Sequence, residues 1–88
     1  MIELHTGRFA DAKNKTAQDK YFKQIKETAK YASRLELIVN AGHGLDYSNV
    51  SKIAKIKEIE ELNIGYSIIC RAIFTGLDKA VKQMKALI

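Results

Sequence analysis

Three times within 88 residues, a short apolar or β-branched run leads to a glycine and then to a longer stretch of helical period. This alternation is the strongest constraint on the fold, because strands separated by helices pair in parallel and carry the helices outside the sheet. The first run is Ile2-Glu3-Leu4-His5-Thr6-Gly7. A period of two places Ile2, Leu4 and Thr6 on one face and Glu3 and His5 on the other. After a polar loop over residues 8–16, Tyr21, Phe22, Ile25, Ala29, Ala32 and Leu35 recur at spacings of three and four, the stripe of an amphipathic helix. A second strand is expected over residues 36–40, leading into Ala41-Gly42-His43-Gly44. Beyond it Asp46 or Ser48 can cap a helix carrying Val50, Ile53, Ala54 and Ile56. A third strand is expected over residues 60–64 and is ended by Gly65. Ile68, Ile69, Ala72 and Ile73 then suggest a short helix, Thr75-Gly76 a break, and Leu77, Ala80, Val81, Met84 and Leu87 a terminal amphipathic helix.

Val39-Asn40-Ala41-Gly42-His43 and Leu62-Asn63-Ile64-Gly65-Tyr66 form a weak internal repeat. Each sets Asn, any residue, Gly and a ring-bearing side chain at the C-terminal end of an expected strand, which is where α/β sheets place their ligands. Glycines there either let backbone N–H groups approach a ligand or only let the chain turn. A chain this short forms one small domain that buries about 60–65% of its unfolded surface, so a partner would add to a limited core. The net charge of +5 comes largely from lysines spread along the helical stretches. That dispersal reads as solvated faces, not as the clustered patch with aromatics that a nucleic-acid surface requires. No apolar run reaches the roughly 18 residues of a membrane span. No basic segment followed by an apolar one marks a secretory signal. Cys70 has no partner for a disulfide, which fits a reducing compartment and a cytoplasmic location. Beside Ile68, Ile69, Ala72 and Ile73 it is expected to be a core thiol. His5 is expected to be a core histidine, and with no ligand cluster around it no metal is expected.

Three parallel strands leave two open edges, and the first strand begins at the second residue, so the chain reads as the last part of something larger. A (β/α)₈ barrel takes about 250 residues, and phosphate is often held there by the loops after its seventh and eighth strands with a short extra helix. The expectation is therefore an α/β chain forming the C-terminal three strand-helix units of a (β/α)₈ TIM barrel, with residues 1–88 a portion of one barrel domain.

Particular residues carry a resemblance. The segments Ile2-Glu3-Leu4-His5-Thr6-Gly7-Arg8-Phe9-Ala10, Val39-Asn40-Ala41-Gly42-His43-Gly44-Leu45 and Glu61-Leu62-Asn63-Ile64-Gly65, followed by Arg71-Ala72-Ile73-Phe74-Thr75-Gly76-Leu77, resemble the C-terminal part of the pyridoxine 5′-phosphate synthase family over essentially the whole chain. The resemblance implies a transferase of vitamin B6 biosynthesis. It would condense 1-deoxy-D-xylulose 5-phosphate with 3-amino-2-oxopropyl phosphate, closing the pyridine ring with loss of water and one phosphate, and without a cofactor. It implies that His43 is the proton donor, that Gly44 and Gly65 bind 3-amino-2-oxopropyl phosphate through their backbone, and that Glu3 stabilises the transition state. Physical chemistry suits these roles. Histidine transfers protons near neutral pH, glycines leave N–H groups free to meet phosphate oxygens, and an inward-facing carboxylate, expected to be buried, offsets positive imine character.

The chain departs from the family pattern where a histidine commonly follows the second glycine: it has Tyr66. The Tyr66 N–H can still bind phosphate and its hydroxyl can donate, but it cannot act as an imidazole acid or base. Asn40 and Asn63 can support the two loops by hydrogen bonds. By the same resemblance, a further acid–base histidine and glutamate and the residues for deoxyxylulose phosphate lie on earlier strands. This chain alone is then expected to be inactive, and a homo-oligomer or a companion chain is expected to complete the barrel. The competing expectations are a non-enzymatic α/β phosphate-binding module that uses the same loops, and an interaction protein that uses its strand edges.

Overall fold

A computed structural model describes residues 1–88. Its elements are β1 (Ile2–His5), α1 (Gly7–Ala10), α2 (Lys15–Arg34), β2 (Val39–Gly42), α3 (Val50–Ala54), β3 (Ile59–Asn63), α4 (Tyr66–Thr75) and α5 (Leu77–Lys85). The strands form one parallel sheet in the order β1-β2-β3, the α/β arrangement expected from the alternation. Its smallest dimension, 17 Å, accommodates two layers, sheet and helices.

Binary pattern explains which face carries the helices. Ile2 and Leu4 of β1, Val39 and Ala41 of β2 and Leu62 of β3 point into a core with Phe9 of α1, Ile25, Ala29 and Ala32 of α2, Val50 and Ile53 of α3, and Met84 of α5. The opposite face is polar, with Glu3, His5, Asn40, Glu61 and Asn63. A register shift after Val39 keeps it so, because Val39 pairs with Ile59 whereas Asn40 pairs with Glu61. The extra residue, Glu60, is a bulge that returns Glu61 and Asn63 to the polar face. No layer of this chain covers that face. Glu3 and His5 are consequently exposed, which corrects the expectation of a buried carboxylate and a core histidine.

Three local expectations also change. Residues 8–16 are not wholly loop: α1 occupies part of them, with Phe9 only 1% exposed in the core. Helix α2 begins at Lys15, where the Asn14 side chain accepts the Ala17 N–H at 2.8 Å and caps the first turn. Strand β2 begins at Val39, not at residue 36, because the end of α2 closes in a left-handed turn. Leu37 N–H donates to Ala32 O at 3.2 Å and Glu36 N–H to Ser33 O at 3.0 Å, with Glu36 at φ 62°. This is a Schellman motif with glutamate where glycine is usual. Leu37 and Ile38, which read as apolar strand, and Leu35, which read as the end of the helical stripe, are exposed around that turn. Relieving the left-handed strain with Glu36→Gly is expected to stabilise the fold by about 1 kcal/mol, less the extra entropy glycine adds to the unfolded chain. Urea unfolding of the two forms checks it, and a less stable variant would contradict the turn.

The third unit follows expectation closely. Gly65 precedes α4, Gly76 separates α4 from α5, and Ala80 and Met84 anchor α5. No helix is long and apolar enough to cross a membrane.

Candidate functional site

The C-terminal ends of β2 and β3 open onto a cavity of about 880 Å³. His43 and Gly44 enter from the β2–α3 loop, and Asn63, Gly65 and Tyr66 from the β3–α4 connection. Arg71 and Cys70 line it from α4. Cys70 is thus half-buried beside the cavity and not a core thiol, because the side of α4 that it shares with Ser67, Arg71 and Phe74 lines that cavity.

The His43 loop is held from several sides. Residues His43 and Gly44 both have positive φ, 92° and 78°, so the loop makes a left-handed reversal that histidine tolerates better than most non-glycine residues. The buried Thr6 hydroxyl donates to the His43 carbonyl at 2.6 Å. Asn49 Nδ2 donates to the Gly44 carbonyl at 3.2 Å and Asn49 Oδ1 accepts the Asp46 N–H at 2.8 Å. Asp46, anticipated as a cap, accepts the N–H groups of Ser48 and Asn49 at 2.8 and 3.0 Å ahead of α3. The Ser67 hydroxyl donates to the Leu45 carbonyl at 3.0 Å and ties this loop to α4. On the far side the Arg71 guanidinium lies 3.5 Å from the Tyr47 ring centroid, while the Tyr47 hydroxyl donates to Ala80 O at 2.8 Å. These bonds fix the two loops against one another.

What the loops offer the cavity is hydrogen-bond donors. The N–H groups of Gly44 and Gly65 find no acceptor in the chain. The first-turn N–H groups of α4 have no intrahelical partner, and the positive end of the helix dipole lies with them. The three glycines of these strand ends are there for different reasons. A Cβ at Gly42 would come within 2.9 Å of Asn63 Cβ, and one at Gly44 within 2.8 Å of Ala10 Cβ, whereas a Cβ at Gly65 would meet nothing within 4 Å. Gly65 also has an ordinary negative φ of −133°. No packing contact within the chain requires glycine at position 65.

Glu3 stands apart from this cavity. It lies deeper along β1, opposite Asn40, and its carboxylate accepts a hydrogen bond from Asn63 Nδ2. Asn63 lines the cavity, so Glu3 reaches the site through it. The bond crosses over β2, and the missing side chain of Gly42, whose Cβ would fall 3.4 Å from Glu3 Oε1, leaves the room. Asn40 bonds weakly to Glu61 at 3.5 Å and to Met1 Sδ at 3.1 Å.

The structure therefore gathers His43, Gly44, Gly65 and Tyr66 about one cavity and joins Glu3 to its margin. Sequence reasoning missed Ser67, Arg71 and the contacts of His5. The available signal was the helical spacing from Gly65, which sets Ser67 and Arg71 four apart on one side of α4.

The family model described as "Pyridoxal phosphate biosynthesis protein PdxJ" matches residues 1–88. The chain belongs to the PdxJ family. It is 60% identical over 87 residues to a pyridoxine 5′-phosphate synthase from Sulfurihydrogenibium sp. (strain YO3AOP1), covering 99% of this chain and 35% of that protein. The synthase of Legionella pneumophila (strain Corby) is 54% identical, with 99% of this chain and 35% of the relative covered. That of Thermosynechococcus vestitus is also 54% identical, with 99% and 37% covered. The chain thus spans about a third of the length of the curated PdxJ relatives it matches.

Proposed function

We propose that residues 1–88 form the C-terminal three strand-helix units of a (β/α)₈ barrel, and that they supply the phosphate-binding and proton-donating part of a pyridoxine 5′-phosphate synthase. The substrates are 3-amino-2-oxopropyl phosphate, held here, and 1-deoxy-D-xylulose 5-phosphate, held by the remainder of the barrel. The Gly44, Gly65 and Tyr66 N–H groups surround the phosphate at the positive end of α4. His43, beside them, donates a proton to an oxygen that departs during condensation and ring closure. Glu3, oriented by Asn63, faces the positive charge that develops as the amine and carbonyl join. The polar face of the sheet becomes the barrel interior, and β1 and β3 pair with further strands. The exposed apolar side chains of α4, including Ile69, Ile73 and Phe74, are covered by the rest of the barrel or by another copy of the protein. A lone thiol that is only half-buried suits the cytoplasm.

The observation that carries this reading is the open space at Gly65, where a side chain would meet no protein atom and would occupy the volume assigned to phosphate. Gly65→Ala is therefore the direct test. It is expected to lower stability by about 1 kcal/mol at most, the difference between alanine and glycine at a helix N-cap. Affinity for 3-amino-2-oxopropyl phosphate in the complete barrel should fall by about tenfold or more, about 1.4 kcal/mol, as one well-placed charge-assisted contact is lost. Calorimetric titration and urea unfolding measure the two effects separately. Unchanged affinity would remove the phosphate from this loop. Phosphate binding without any turnover in the complete barrel would leave a binding module instead of an enzyme.

A further inference from the structure

His5 stands on the same polar face as Glu3, two residues further along β1. Its ring stacks on that of His43 with centroids 4.1 Å apart and planes inclined by 28°. Its Nδ1 accepts the Gly7 N–H at 3.2 Å, which leaves the hydrogen of the neutral ring on Nε2. Gly7 itself is buried. A Cβ there would come within 2.5 Å of His5 Cε1 and 2.9 Å of His43 Cδ2, so only glycine leaves room for both rings. The residue between them, Thr6, is fully buried and holds the His43 carbonyl at 2.6 Å. Three consecutive residues of the β1–α1 junction thus act on His43 at three points: backbone, ring face and ring edge.

We infer that His5-Thr6-Gly7 is a cradle for His43, with His5 the positioning residue that fixes the orientation of the His43 imidazole by ring stacking. The neighbour recorded against the face of that ring is His5. Without the stack, χ1 and χ2 of an exposed histidine on a left-handed turn are free to sample other rotamers, and the time spent aligned for proton transfer falls. The role of the orientation rests on His43 being the proton donor of the Proposed function; the stack itself does not.

The test uses the complete barrel carrying these residues and four variants. His5→Phe keeps an aromatic face and removes the Nδ1 acceptor, His5→Asn keeps an acceptor near the Nδ1 position and removes the ring, His5→Ala removes both, and His43→Ala is the reference. His5→Ala and His5→Asn are expected to lower kcat by about tenfold to a hundredfold, the scale of a small misplacement of a reacting group. KM for 3-amino-2-oxopropyl phosphate should change by less than about threefold, because the loss falls in the transition state. His5→Phe should retain kcat within about threefold of the parent, since the face is kept. Independently of turnover, the proton resonances of the His43 ring should move downfield in His5→Ala and His5→Asn as the ring current of the neighbour is lost, and stay shielded in His5→Phe. Equal loss in His5→Phe and His5→Ala, unchanged kcat in His5→Ala, or His43 resonances indifferent to position 5 would each overturn the cradle. Normal turnover in His43→Ala would instead overturn the proton donor, while the resonances still report on the stack.

Discussion

His43→Ala in the complete barrel is expected to lower turnover by about 10²- to 10⁴-fold, the usual contribution of a positioned general acid. Binding of 3-amino-2-oxopropyl phosphate should weaken much less, because the proposed phosphate ligands are backbone N–H groups on either side of the ring. The left-handed backbone at His43 suits alanine no better than histidine, so a folding control by circular dichroism belongs with the kinetics. A reduction in kcat and kcat/KM by the same factor marks an interaction made only in the transition state. Normal turnover in a folded variant would leave His43 a residue of the turn.

Gly44→Val is expected to act differently, by removing binding and turnover together. The sequence alone suggests that a side chain at Gly44 would crowd a phosphate and strain the turn, so that binding fails first. In the structure its Cβ is directed at Ala10 of α1, 2.8 Å away, and the backbone stands at φ 78°. A β-branched residue there meets left-handed strain of about 1–2 kcal/mol and overpacking of about 1–3 kcal/mol. The loop must shift away from α1, carrying both the His43 ring and the Gly44 N–H with it. Stability should fall by about 2–5 kcal/mol in urea unfolding, with phosphate affinity and kcat declining in the same variant. Loss of affinity with stability intact would mean that the side chain had found space in the cavity. The contrast with Gly65→Ala then separates a glycine demanded by the chain from one demanded by a ligand.

Much of this was legible because period and order are properties of local sequence. The alternation at Ile2 to His5 specified the polar and apolar faces of β1, and the apolar spacing through Ile25, Ala29 and Ala32 specified the buried side of α2. The parallel order of three strands followed from the helices between them. Misreadings arose where tertiary context overrides pattern. Leu37 and Ile38 have strand composition, yet the Glu36 turn delays the start of β2 to Val39. Nothing local marked α1, a helix of four residues held by the burial of Phe9. The burial of Glu3 and His5 depended on a layer that this chain does not contribute. At the site the glycine loops were visible as a repeat, but neither the stacking of His5 on His43 nor the Glu3–Asn63 bond over Gly42 could be read from spacing, since each joins residues of different strand units.

The Thr6–His43 hydrogen bond has a consequence for the order in which the molecule assembles. Its partners lie 37 positions apart, and the crossover from β1 through α2 to β2 must close before it can form. Helix α2, whose backbone bonds are local, can reach its structure in about a microsecond. Non-local parallel pairing waits on loop closure, whose entropic penalty must be met before any contact offsets it. In refolding experiments the far-ultraviolet helical signal should therefore recover ahead of the shielded His43 resonances. The site is then a late product of folding, and any chain whose helices form before the sheet closes exposes strand edges, which favours aggregation during synthesis.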